Sequence, residues 1–243
     1  MKPSLLVALA TLALTTAVSV DLATGQSRLR QVTWEFDSLT QIGGLPVKVE
    51  GAPKLVSSPI GKAIEFDGVR DSLFIERHPL AGAETFTWEV IFRPDGGAEA
   101  QRWFHLAQRD PETGMFVRLG AADSTGRQPD SSSRLLFELR VVNGNSWYLD
   151  AFTTGRALMF PEKVHPIGRW YHVAQVYDGK TYRSYVNGQL QGEAPVDYRP
   201  QGDGAASIGA RLNKVDYFRG AVAKARFTFA ALPPSEFMPM PTP

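Results

Sequence analysis

Three phrases put chemically capable side chains two residues apart: Glu35-Phe36-Asp37, Glu65-Phe66-Asp67 and Glu138-Leu139-Arg140. On an extended chain, residues i and i+2 share a face, so each phrase could present a pair. Two carboxyls roughly 5 Å apart, one nucleophile and one acid, are what glycoside cleavage with retention requires. The first two phrases read more simply as strand ends with solvent-facing acids and a turn-forming Asp. Cysteine is absent, which excludes disulfides, thiolate catalysis and thiolate zinc sites. The four histidines, His78, His105, His165 and His172, include no His-x-x-x-His pair that would suggest an imidazole metal site. No Gly-x-Ser-x-Gly elbow occurs. His172 reads as structural, His165 before Pro166 as the end of an edge strand, and His78-Pro79 as the start of a turn. No residue is assigned a catalytic or metal-binding role.

What remains is material for recognition. Sugar rings call for aromatic faces and planar polar side chains in a shallow groove. Trp147 and Tyr148 alternate faces beside Asp150, so one ring points away from the core. Glu138 and Arg140 share a face of the preceding strand, Trp103 neighbours His105 by period two, and Arg211 and Asn213 follow Ser207-Ile208-Gly209 on a loop. The candidate ligand-binding residues are therefore Trp147, Arg140, His105, Glu138, Arg211 and Asn213. Against them stands a plainer reading: Arg and Glu on a sheet face commonly form cross-strand ion pairs of little worth. Trp88, Trp170 and Phe86 are expected in the core.

The elements that must position these residues show a period of two, the mark of half-buried strands. It is clearest in Phe86-Thr87-Trp88-Glu89-Val90-Ile91-Phe92, Leu135-Leu136-Phe137-Glu138-Leu139-Arg140 and Trp170 to Tyr177. About a dozen such segments occur, separated by turn formers such as Asp67-Gly68, Asn143-Gly144, Asp178-Gly179 and Asn187-Gly188. Asp178-Gly179 and Asn187-Gly188 predict a three-stranded meander from Trp170 to about Gly192. Pro233 to Met238 allows one helical turn, too short to matter architecturally. Ala121 to Ser133 is the most polar, Gly-rich interval and reads as a long loop suited to binding. Short strands at this spacing imply an all-β, two-sheet antiparallel sandwich.

The chain has 243 residues, with 26 Lys and Arg against 25 Asp and Glu. That length suits one sandwich domain, and a charge near zero gives no field to attract nucleic acid. Residues 1–25 run from Lys2 through an apolar stretch, Leu5 to Val18, to small residues at Ala17-Val18-Ser19 and Ala23-Thr24-Gly25. The order is that of an export signal, and the run is shorter than the ~20 residues that span a bilayer. A retained anchor differs only in length and flanks. The expected organisation is a signal over 1–25, a domain over 26–238 and a Pro-rich tail over 239–243, in a secreted or periplasmic protein with no stable membrane span after processing.

Several phrases, in order, resemble the laminin-G-like, concanavalin A-like jelly-roll superfamily. Trp34-Glu35-Phe36-Asp37 is similar to its opening strand, Gly61 to Gly68 to its G-x-A-x-x-F-D-G strand, and Phe86 to Val90 to the strand that follows. Gly168-Arg169-Trp170-Tyr171-His172-Val173-Ala174 with Tyr177-Asp178-Gly179 resembles W-x-H-V-A-x-x-Y-D-G, Tyr185-Val186-Asn187-Gly188 resembles Y-V-D-G, and Ser207-Ile208-Gly209 with Phe218-Arg219-Gly220 the late I-G and F-x-G segment. The resemblance covers about residues 33 to 237 and implies a jelly-roll β-sandwich. It does not fix a function, since the fold carries lectins, binding modules, hydrolases and lyases. Some members hold calcium with loop carboxylates, as oxygen ligation requires. Here Lys224 and Asn187 stand where a carboxylate is common, so no cofactor is expected. The Glu-x-Asp-x-x-Glu triplet of the hydrolase branch is missing. Elements like those of the lyase branch, His105 with Glu138 to Arg140 and Tyr217-Phe218, come in a different order. The resemblance therefore implies a non-catalytic module for an extracellular glycan or glycoconjugate. A hydrolase or lyase, a protein-adhesion module and a structural envelope protein stay open as alternatives.

Overall fold

The computed structural model describes residues 29–116, 134–153 and 156–239. The expected signal, the 121–133 loop and residues 240–243 of the tail lie outside the described residues. Two eight-stranded antiparallel sheets dominate. The first runs Gln189–Pro195, Thr181–Val186, Tyr171–Tyr177, Phe86–Pro94, Arg219–Thr228, Gly61–Asp67, Lys54–Ser58, with Gln31–Glu35 also paired to Arg219–Thr228. The second runs Arg156–Met159, Ser146–Thr153, Arg134–Val142, Ala100–Gln108, Gly204–Ile208, Ser72–Ile75, Lys48–Glu50, with His165–Pro166 beside Ser146–Thr153. The all-β sandwich expected from periodicity is what forms.

Alternation explains the layering. Along Phe86–Pro94 the side chains of Phe86, Trp88, Val90 and Phe92 enter the core, and from the other sheet come Trp103, Phe104, Phe137, Leu139 and Trp147. Rings meet across the interface: Phe92 stacks on Trp103 at 4.3 Å and Trp88 meets Phe137 edge-on at 4.5 Å. Such pairs add about 0.5–1.5 kcal/mol each beyond their buried area. One polar tie crosses the same layer. The Tyr182 hydroxyl donates to Gln175, whose amide donates to the Leu136 carbonyl at 2.9 Å.

The meander forms as its turn residues require. Asn187 and Gly188 both take left-handed backbone, φ 53° and 73°, the two-residue hairpin geometry that favours this pair. The Asp178 carboxylate accepts the Lys180 and Thr181 amides at 2.9 and 2.8 Å.

Two expectations change. Trp170 is not in the core: it is half-buried on the outer face of the first sheet, packed on the cluster of Ala63, Ile91 and Ala221, with the Arg93 guanidinium 5.5 Å from its ring. The Pro233 to Met238 segment matters more than its length suggested. Its single 3-10 turn, Pro234–Glu236, belongs to a strap that lies over the first sheet. The Leu232 amide donates to Thr87 Oγ1 at 2.8 Å, the Met238 amide to Glu89 Oε1 at 2.6 Å, and Phe237 packs its ring against His172 and Tyr185. The strap succeeds because its apolar residues meet an outer face that is itself apolar at Ala174 and Val176.

Candidate functional site

The outer face of the second sheet has a different character. Odd residues of Arg134–Val142 enter the core, so Glu138 and Arg140 point outward. Cross-strand register sets Glu138 opposite Asp150 and Arg140 opposite Tyr148. From the other side Arg102 pairs with Glu138. Three outward arginines and three acids thus alternate over neighbouring strands and one loop. Arg102 bonds to both Glu138 and Asp216, Arg140 Nε donates to Asp150 Oδ2 at 3.3 Å, and Arg211 lies 3.9 Å from Asp216.

The loop that carries Arg211 is fixed by backbone. Lys214 and Asp216 both take positive φ, 61° and 58°, uncommon for residues with a Cβ. The Arg102 amide donates to the Asp216 carbonyl at 3.0 Å and the Lys214 amide to the Arg211 carbonyl at 2.8 Å. His105 lies beneath, its Nδ1 accepting the Leu212 amide at 3.2 Å. That bond ties the loop to the sheet. Burial and the nearby Arg102 lower the Arg211 guanidinium below its ordinary value, and its buried Nε has no hydrogen-bond partner among the described residues.

Asp150 is the unusual member. Its side chain is 1% exposed. Oδ2 takes Arg140, and Oδ1 has no hydrogen-bond partner among the described residues. Burial, then the facing Glu138, push the carboxyl up to about 6 against the pull of Arg140. Around this acid Arg140 is 27% exposed, Tyr148 is half-buried and Met159 is 51% exposed. A guanidinium, a phenol ring and a buried acceptor in want of a donor make a surface suited to polyhydroxylated molecules.

The structure gathers Arg140, Glu138 and Arg211 into one network, with His105 under its loop. Asn213 is exposed at the loop and makes no side-chain hydrogen bond among the described residues. Trp147 is corrected: it is fully buried, edge-on to Phe92 and Tyr171. Of the alternating pair, Tyr148 is the ring that points out. The expected Trp103 and His105 face-sharing is also corrected. A bulge at Phe137/Glu138 shifts register, so Trp103 and Phe104 both turn inward and His105 outward. Tyr148, Asp150, Arg102 and Asp216 were missed as site members. Once Trp147 is known to face inward, parity places the first two outward. Among the described residues no group of three or more His, Cys, Asp or Glu is placed to hold a metal ion.

Solved structures share this architecture at low identity. Domain 4 of AbnA, a GH43 extracellular arabinanase from Geobacillus stearothermophilus in complex with arabinotriose, aligns over 86% of this chain and 96% of its own, at 16% identity and a TM-score of 0.60. A mutant of Trypanosoma rangeli sialidase displaying trans-sialidase activity aligns over 85% of this chain and 32% of its own, at 13% identity and 0.57. The binding domain of botulinum neurotoxin DC in complex with SialylT aligns over 84% of this chain, which spans 49% of that one, at 11% identity and 0.51. No curated protein matches the sequence. The model of the laminin G type matches residues 67–237, and the chain belongs to the concanavalin A-like lectin/glucanase superfamily.

Proposed function

We propose that the protein is a non-catalytic module that binds a glycan on the outer face of its second sheet, at Arg140, Asp150 and Tyr148. The observation that carries this reading is the Asp150 carboxyl, buried with one oxygen unpartnered beneath partly exposed Arg140 and Tyr148. A hydroxyl donor from a sugar would satisfy it, and leaving it unsatisfied costs about 1–3 kcal/mol. The arabinotriose and SialylT complexes of similarly folded domains support a saccharide as the ligand class. Residues 1–25 support placement outside the cytoplasm, and among the described residues no helix is long and apolar enough to cross a membrane.

The test is a glycan array followed by calorimetry with arabinotriose and the strongest array ligand. Arg140→Ala and Tyr148→Ala should each weaken binding by about tenfold, the loss of one charge-assisted bond or one ring contact. No array signal, or unchanged binding in both variants, sinks the site. A second reading has one observation behind it: Glu138 and Asp150 face each other, and Asp150 near 6 has the value a general acid needs. Release of reducing ends from the bound glycan, abolished in Asp150→Asn, would make the module a hydrolase instead.

A further inference from the structure

Beyond the strap, at the far end of the first sheet's outer face, lies a cleft of about 650 Å³. Lys54, Arg93 and Arg219 line it together with Glu65, Asp67, Asp71 and Asp95. Most of these charges are internally matched. Asp71 accepts the Ala52 and Asp67 amides at 2.7 and 3.1 Å, and Asp67 Oδ1 accepts the amides of Val69, Arg70 and Asp71. Arg93 binds Asp95 through Nε and Nη2 and reaches Glu65 at 2.9 Å.

Arg219 is held differently. Its amide donates to the buried Gln101 at 3.0 Å, and its carbonyl accepts the Asp95 amide at 2.9 Å. Its stem lies against two glycines in left-handed backbone, Gly68 and Gly97. A Cβ on either would stand 2.8 or 3.0 Å from the Arg219 Cβ, so any larger residue would displace the arm. Yet the guanidinium makes no ion pair or hydrogen bond among the described residues, although four carboxylates line the same cleft. Lys54, across from Glu65 in register, likewise has no partner among the described residues. The two cations sit on the strands that flank Gly61–Asp67, Lys54 level with Glu65 and Arg219 with Asp67, so two strand spacings and two residues along the strand put their backbones roughly 12 Å apart, a gap their long side chains can close on one small ligand.

We propose that this cleft is a second binding site, for a carboxylate-bearing sugar whose anion is taken by Arg219 with Lys54 beside it. The ligand class follows from the remaining groups. A neutral sugar would leave both cations unmatched. A compact dianion such as phosphate would meet the repulsion of the four carboxylates with about twice the charge of a uronate and no hydroxyls to donate to them. A uronate brings one delocalised charge for the planar guanidinium fork and hydroxyls that donate to Glu65 and Asp95. The site shares no residue with the face around Asp150, so the two readings stand or fall apart.

Galacturonate, a single ring with a single carboxylate, is the probe, titrated by calorimetry into the full chain in low and high salt, with inorganic phosphate and arabinotriose in parallel. Binding of galacturonate is expected to weaken with salt, to fall about tenfold in Arg219→Gln and to fall severalfold in Lys54→Gln. Arg140→Ala is expected to leave it unchanged. Both substituted side chains are exposed, so urea midpoints should match the parent and keep the comparison clean. The proposal is overturned by absence of galacturonate binding, by binding indifferent to Arg219→Gln, or by phosphate competing at equal concentration.

Discussion

Glu89 and Asp150 are both buried carboxylates on outward positions of non-edge strands, one in each sheet, and their surroundings are opposite. Glu89 accepts from His172 at 2.9 Å, from Arg226, and from the Met238 amide at 2.6 Å. Burial alone would raise its carboxyl, but His172, Arg226 and that amide outweigh it and hold the acid below the usual range. Asp150 has one long bond to Arg140 and an oxygen with none, and burial wins. The contrast separates a charge that organises the fold from a charge left incomplete by it. On the first sheet the chain supplies its own partner, the strap. On the second, the described residues supply only part of one.

The largest effect should come from the satisfied side. Glu89→Ala leaves His172 without its acceptor and Arg226 with only the Glu236 carbonyl and frees the Met238 amide, and removing one member of a buried ion pair costs about 3–5 kcal/mol. Urea unfolding should show that loss, and limited proteolysis should cut the strap between Ala231 and Met238 while the sheets resist. A loss below about 1 kcal/mol would mean that apolar packing of Phe237 and Met238, not Glu89, secures the strap. The pH dependence follows from the lowered carboxyl. Its contribution is complete above the ordinary value of 4.5 and disappears as pH falls through the lower folded value.

For Asp150 the sign reverses. Its folded carboxyl titrates at about 6 against 3.8 for the ordinary group, so between those values the folded state holds more protons and stability falls as pH rises. About two units correspond to about 3 kcal/mol of cost above pH 6. That cost is already net of the pull of Arg140, and Asp150→Asn removes it. The variant should therefore gain up to about 3 kcal/mol at pH 7.5 and nothing at pH 3.5, while losing glycan affinity. A variant less stable than the parent at pH 7.5 would show that the ionised acid is not strained, and the basis for the site would go with it.

The same contrast marks where sequence reasoning reached and where it stopped. Alternation and turn residues are local properties, so the strands, the meander around Asn187-Gly188 and the inward Trp88 were legible. Parity fails at a bulge, which depends on the partner strand, and that is why Trp103 was placed with His105. Parity also left open which of Trp147 and Tyr148 faces out, since both directions satisfy alternation and only the neighbouring layer decides. The strap was invisible because its residues, Leu232, Phe237 and Met238, are sparse and aperiodic. They become apolar cover only once Ala63, Ala174 and Ile91 are known to face outward. Glu138 and Arg140 were legible as a pair, but the Asp150 facing them across a strand was not.

The smallest effect distinguishes what Tyr148 contributes. Burial raises its phenol, Arg140 opposes this, and Asp150 adds to it, so hydroxyl and acid sense each other on one face. Tyr148→Phe deletes the hydroxyl and keeps the ring. At a half-buried position it should change stability by no more than about 0.5 kcal/mol. If the ring face carries the sugar contact, affinity stays within about twofold of the parent, whereas Tyr148→Ala loses about tenfold. A full tenfold loss in Tyr148→Phe, measured by the same calorimetry, would assign recognition to the hydroxyl acting with Asp150. The exposed ring would then be incidental, and the incomplete acid would be the whole of the difference between the two faces.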